Sequence, residues 1–180
     1  MSRRARSSRR AAPLVLAMTI LTGCHSSAPS EPESRPVSSA RAAPPPAPGA
    51  APRFIEAPPG EDVAAFVRAE LTRAEEARAT VVVYVGAKWC EPCERFHRAL
   101  AAGELDRELR GVRFIGYDLD RSGELLAEAG YESPMIPLFC LPDAEGRGTS
   151  RRMAGSIKGP GAVGELLPRL TALLAEAPAR

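Results

Sequence analysis

Aromatic side chains are scarce in this 180-residue chain, where one Trp, three Tyr and five Phe make up 5%. So few rings cannot build the stacking platforms that hold single-stranded nucleic acids. A surplus of one charge is lacking too, since the formal net charge is only +2. That charge is unevenly placed. Residues 1–23 hold five arginines and no acid, and the remainder carries 19 basic against 22 acidic residues. A slightly acidic remainder argues against phosphate backbones as partners. Long apolar runs are also missing. The run Ala11–Leu21 has eleven residues, about half of the ~20 that a membrane-spanning helix needs. The four cysteines, Cys24, Cys90, Cys93 and Cys140, do not form the stapling framework of a small secreted domain.

The N-terminus instead reads as an address. Met1–Arg10 is basic, and Ala11–Leu21 suits the apolar core of a signal peptide. The next residues, Leu21-Thr22-Gly23-Cys24, resemble the bacterial lipobox. That resemblance implies cleavage before Cys24, lipidation of Cys24 and stable anchoring by more than one acyl chain. Cys24 would then take no part in redox chemistry. Position 25 is His rather than Asp, which by the sorting rule of lipoproteins favours the outer over the inner membrane. Ser8-Arg9-Arg10 is followed by Ala11-Ala12-Pro13 and lacks the usual continuation of a twin-arginine signal. From His25 to Gly60 the chain is mostly Pro, Ala, Ser and Arg, with Pro44-Pro45-Pro46 at its centre. Such a segment cannot bury enough apolar surface to fold. As an extended tether it would reach on the order of 100 Å. The expected division is a signal peptide over 1–23, a lipidated cysteine and tether over 24–60, and a folded domain over 61–180.

Within that domain, Glu61-Asp62 places acids at a helix start, and Val63, Phe66, Val67 and Leu71 recur at helical spacing over 61–79. Val81–Val85 is a continuous β-branched and aromatic run, as in a strand covered on both faces. A helix follows Cys93, with Phe96 and Leu100 on one face. Further expectations are a strand over 112–119, a short helix over 124–130, strands over 136–141 and 149–154, and a last helix over 162–176. Pro168 should bend that last helix or delay its start. The order α, β, α, β, α, β, β, α predicts an α/β fold, a central four- to five-stranded mixed sheet flanked by helices on both faces.

The chemistry concentrates where the first strand ends, at Trp89-Cys90-Glu91-Pro92-Cys93. Two cysteines three apart can close a tight ring. If a helix begins there, its positive end stabilises a Cys90 thiolate. One sulfur could then attack and the other resolve. Cys90, Cys93 and His97 also share a helical face and could hold zinc, but no second ligand pair has metal spacing, so no metal is expected. Glu94 follows the second cysteine, where haem attachment needs His. Cys140, inside the apolar run Leu138-Phe139-Cys140-Leu141, reads as a buried free thiol.

The lead-in Tyr84-Val85-Gly86-Ala87-Lys88 resembles that of exported, reductase-like members of the thioredoxin superfamily, and three further motifs together resemble the superfamily itself. They are Trp89-Cys90-Glu91-Pro92-Cys93, Met135-Ile136-Pro137, and Ala154-Gly155 with Lys158-Gly159. The resemblance covers about 61–176 and implies a thioredoxin fold. It also implies that Cys90 is the exposed nucleophile and Cys93 the buried resolving thiol, with a cis Pro137 beside them. Trp89, Pro92, Ile136 and Pro137 would contact substrate, with Trp89 sheltering the dithiol from water and the Ile136 backbone pairing with an extended substrate segment. Two departures stand out. Tyr84 occupies the place of the family's buried Asp, and Gly116 that of its partner Lys. A water, the Tyr84 hydroxyl or a substrate group would have to take over the acid's role in moving the proton of the buried thiol. Glu91, between the cysteines, opposes thiolate formation and should lower the potential.

The expected function is a membrane-anchored periplasmic thiol–disulfide oxidoreductase, a protein disulfide reductase or isomerase. Its partners would be exported protein disulfides or thiols, including those used in cytochrome maturation, and a membrane electron donor. The chain would be a monomer, need no cofactor beyond the Cys90–Cys93 disulfide, and bind no nucleic acid. The competing expectation is a thioredoxin-fold binding or chaperone module whose dithiol does not turn over.

Overall fold

Five consecutive apolar residues can be buried only where both faces of a strand are covered, and Val81–Val85 is buried throughout. The computed structural model describes residues 49–177. The expected signal peptide, the lipid site Cys24 and most of the expected tether lie outside the described residues. The elements run β1 (Arg53–Glu56), α1 (Val63–Glu76), β2 (Thr80–Gly86), α2 (Glu91–Ala101), β3 (Val112–Asp118), α3 (Leu119–Glu128), β4 (Leu138–Pro142), β5 (Gly148–Ala154) and α4 (Ala162–Ala175). The sheet order is β1-β3-β2-β4-β5. β1, β3 and β2 are parallel, whereas β4 is antiparallel to both β2 and β5. This is the mixed sheet of a thioredoxin fold, with β2 at its centre.

Side chains alternate across a strand, so β2 divides its residues between two cores. Val82 and Tyr84 face a core containing Phe96 and Ala99 of α2 and Leu166, Leu170 and Leu173 of α4. Val81, Val83 and Val85 face the other, with Val63 and Val67 of α1 and Leu126 of α3. Cys140 belongs to this second core and is a buried free thiol, as expected.

Four expectations need correction. The fold starts earlier than residue 61. The Ala50 carbonyl accepts from the Gly111 N–H at 2.8 Å, and β1 adds an edge strand within the segment expected as tether. Its four residues, Arg-Phe-Ile-Glu, sit among prolines and offer too short a pattern to read. α3 starts at Leu119 rather than 124, because the Asp118 carboxylate caps it by accepting from the Asp120 N–H at 2.9 Å. β4 starts at Leu138, not 136, since Pro137 has no N–H for a ladder. α4 is not delayed by Pro168 but runs through it from Ala162; the lost bond falls on the Gly164 carbonyl, on an exposed turn.

One ion pair ties α1 to the sheet from inside. Glu70 is 3% exposed and Arg113 of β3 is 7% exposed. Arg113 Nε donates to Glu70 Oε2 at 2.7 Å, and Arg73 bonds the other oxygen. Removing one member of a buried pair leaves an uncompensated charge. Glu70→Ala should therefore destabilise the chain by about 3 kcal/mol, read as a lower urea midpoint. The double variant Glu70→Leu, Arg113→Met should regain most of that loss. Equal losses in the two variants would show that the pair itself supplies the stability.

Candidate redox site

β2 ends at Gly86, and the short loop Ala87-Lys88-Trp89 turns the chain into α2 with Cys90 at its N-cap. The Cys90 sulfur accepts from the Cys93 N–H at 3.3 Å. Its backbone is fixed on both sides, by Cys90 N–H to Ala87 O at 3.1 Å and Glu94 N–H to Cys90 O at 3.0 Å. Pro92 lies in the first turn, where its missing N–H costs no helical bond. Cys90 and Cys93 form a disulfide, with Cα atoms 5.2 Å apart. The pair is thus held at the positive end of α2, where a reduced Cys90 has its thiolate favoured.

Cys90 is less open than expected. It is 5% exposed, against 2% for Cys93, because in the disulfide its sulfur turns toward the helix end. Trp89 is more open than expected, at 67%. Its indole N–H donates to both carboxylate oxygens of Asp120, at 2.9 and 3.2 Å. The ring is anchored to the start of α3 and gives most of its surface to solvent rather than sealing the dithiol. Asp120 was not expected at the site, and nothing local in the sequence links residues 31 apart.

Two further loops meet this one. The Ile136–Pro137 peptide is cis, and the Pro137 carbonyl accepts from Gly155 N–H at 3.0 Å. Ile136 is half-buried and packs against both cores. Gly155 has no Cβ, which leaves room for the Met135 sulfur. The loop after Gly155 reaches α2, since Gly159 N–H donates to Glu91 Oε1 at 3.3 Å. The described residues expose three large apolar side chains, Trp89, Met135 and Ile157, one on each of these loops. Ile157 was not singled out from sequence.

Glu91 is not a free charge. Arg95 Nε donates to its Oε1 at 2.9 Å, and Arg95 Nη2 lies at 2.8 Å. This hydrogen bond, with the Arg95 charge and the Gly159 N–H, holds the Glu91 carboxyl below its ordinary range.

Beneath the dithiol the structure is aromatic. Tyr84 is 2% exposed, and its hydroxyl has no hydrogen-bond partner among the described residues. Burial pushes its ionisation up, so it does not supply the anion expected of a replacement for the acid. Tyr84 stands opposite Gly116 in the register. A side chain at Gly116 would collide with the ring of Phe54, so an aromatic of β1 fills the space where the resemblance would place a Lys. Tyr84 meets Phe54 with ring centroids 5.4 Å apart, Phe96 at 5.8 Å and His97 at 5.0 Å. Beside them a cavity of about 350 Å³ is lined by Phe54, Tyr84, Cys93, His97, Tyr117 and Asp118, among others. Among the described residues His97 does not join the cysteines in a metal-ligand cluster.

Strand order, the cis peptide at Pro137 and the cysteine pair at the head of α2 define a thioredoxin fold carrying a thiol–disulfide redox site. No family model and no curated protein matches the chain. Among solved structures it is similar to a poplar wild-type thioredoxin h, at 20% identity over 70% of this chain and 98% of that one, TM-score 0.44. It is also similar to thioredoxin from Trypanosoma brucei brucei, at 16% identity over 76% and 94%, TM-score 0.41. A mutant thioredoxin from Halobacterium salinarum matches at 18% identity over 69% and 94%, TM-score 0.39.

Glu91 and Arg95 act on the Cys90 thiolate with opposite signs. A more stable thiolate favours the reduced form and raises the potential. Glu91→Gly should make the site more oxidising, because it removes an anion and frees Arg95. Arg95→Gln should make it more reducing. Each shift should be small, on the order of 10 mV, because solvent screens the exposed pair. Equilibration with glutathione redox buffers measures both, and shifts of the same sign would contradict this electrostatic account.

Proposed function

We propose that this chain is a lipid-anchored, exported thiol–disulfide oxidoreductase that reduces or isomerises disulfides of other exported proteins. The observation that carries the reading is the Cys93 N–H directed at the Cys90 sulfur, beside an exposed apolar rim of Trp89, Met135 and Ile157. The first prepares a nucleophile. The second suits a segment of a partially unfolded protein, with Pro92, Ile136 and Pro137 shaping the floor between.

In the reducing direction the Cys90 thiolate attacks one sulfur of a substrate disulfide. That bond breaks, the departing substrate thiolate takes a proton, and Cys90 is left in a mixed disulfide. Cys93 then attacks the Cys90 sulfur, the second substrate thiolate departs, and the Cys90–Cys93 disulfide closes. Two electrons have passed from the chain to the substrate. A membrane dithiol donor restores the reduced form. The N-terminal address and the lipobox-like Leu21-Thr22-Gly23-Cys24 support placement in the cell envelope, facing the periplasm, with the outer membrane favoured by His25.

The detergent-solubilised chain should catalyse insulin reduction by dithiothreitol, and Cys90→Ser should abolish this. Equal rates in both would favour the binding-module reading, in which the rim holds clients and the dithiol is idle. Cys93→Ala should hold substrates as mixed disulfides on Cys90, identified after isolation from cells. For the anchor, metabolic labelling with a radioactive fatty acid should mark the wild-type chain and not Cys24→Ser. Labelling of both would remove lipidation at Cys24 from the account.

A further inference from the structure

The resolving step needs the Cys93 thiol to lose its proton. The buried acid that resemblance would supply is replaced by Tyr84, which is neutral, and its partner by Gly116. His97 lies four residues after Cys93 on α2, so the two side chains share one helical face. Both line the same cavity. The imidazole is half-buried and held by ring contacts, with centroids 4.6 Å from Phe54 and 5.0 Å from Tyr84.

We propose that His97 is the proton acceptor for Cys93 when the mixed disulfide is resolved. This rests on the oxidoreductase reading given above. The Cys93 S–H proton passes to a ring nitrogen of His97. The Cys93 sulfur bonds to the Cys90 sulfur, the Cys90–substrate bond breaks, and its electron pair leaves on the substrate sulfur. The imidazolium then returns its proton to that thiolate or to water. The dithiol has become a disulfide and the substrate disulfide two thiols, so protons and electrons balance.

The surroundings of His97 suit this task. Burial pushes its pKa below the ordinary value, while the Glu56 charge on β1 pulls the other way. The ring is therefore neutral and able to accept at neutral pH. Tyr84 of β2 and Tyr117 of β3 are both kept un-ionised by burial. The other charged groups lining the cavity are Glu94 of α2, Asp118 at the end of β3, Lys88 before α2 and Arg121 of α3, two anions and two cations.

The test is stopped-flow reaction of the reduced, detergent-solubilised chain with the aromatic disulfide 5,5′-dithiobis(2-nitrobenzoate). The Cys90→Ser, Cys93→Ser chain serves as background. A first phase reports attack by Cys90 and a second reports resolution by Cys93. In the wild type the second phase should fall as pH drops through the lowered His97 pKa, and be level above it. In His97→Ala it should slow by on the order of 100-fold at neutral pH and rise only toward the ordinary thiol range. Added imidazole, small enough for the cavity, should restore it, and the first phase should be unchanged. A second phase in His97→Ala with the wild-type rate and pH profile would overturn the proposal. Nuclear magnetic resonance of the wild type gives a readout that needs no variant. The chain has two histidines, and the His97 midpoint should be lower in the reduced than in the oxidised chain, because only a Cys93 S–H can donate to the neutral imidazole and so disfavour its protonation. An identical midpoint in both states would equally overturn it. Absence of the first phase in the wild type would overturn the oxidoreductase reading and this proposal with it.

Discussion

The Cys93 N–H aimed at the Cys90 sulfur is the interaction on which the rest of this structure depends. It exists only if a helix begins at Cys90, and the helix begins there only if β2 ends at Gly86. β2 is held at the centre of the sheet by parallel β3 on one side and antiparallel β4 on the other. The second core, with α1 and α3, and the first, with α2 and α4, close over its two faces. The buried Glu70–Arg113 pair fastens α1 to β3. What the fold stabilises is the placing of one sulfur at one helix end.

Beneath that sulfur this chain carries rings where the resemblance would place a charged pair. Phe54, Tyr84, Phe96, His97, Phe114 and Phe139 form a continuous cluster. An aromatic floor avoids the cost of a buried unpaired charge, but it leaves Cys93 with few proton acceptors. The cavity beside Cys93 and the half-buried His97 follow from the same exchange. The charged groups that remain near the dithiol, Glu91 and Arg95, are paired with each other and so act on Cys90 as a weak dipole rather than as a bare charge.

Much of this was legible in the residues. The run Val81–Val85, the cysteine spacing, Ile136-Pro137 and the period of 162–176 each have a local signal, and their order fixes the fold. The register of Tyr84 with Gly116 was readable from the resemblance. β1 was not, because its strand character comes from pairing with β3 and not from its own four residues. Missing β1 also hid the role of Phe54, and with it the cluster that positions His97. Within α2, the sequence marks His97 only as a candidate zinc ligand. The Trp89–Asp120 bond and the exposure of Ile157 depend on loops that meet only after the sheet has formed.

The most direct test of the central claim is the ionisation of Cys90 in the reduced chain. It can be followed by the pH dependence of alkylation by iodoacetamide, with modified Cys90 quantified by mass spectrometry. Placement at the head of α2 predicts a midpoint below the ~8.5 of a free thiol. A midpoint at or above that value would contradict the account, because the helix end would then do nothing for the sulfur it holds.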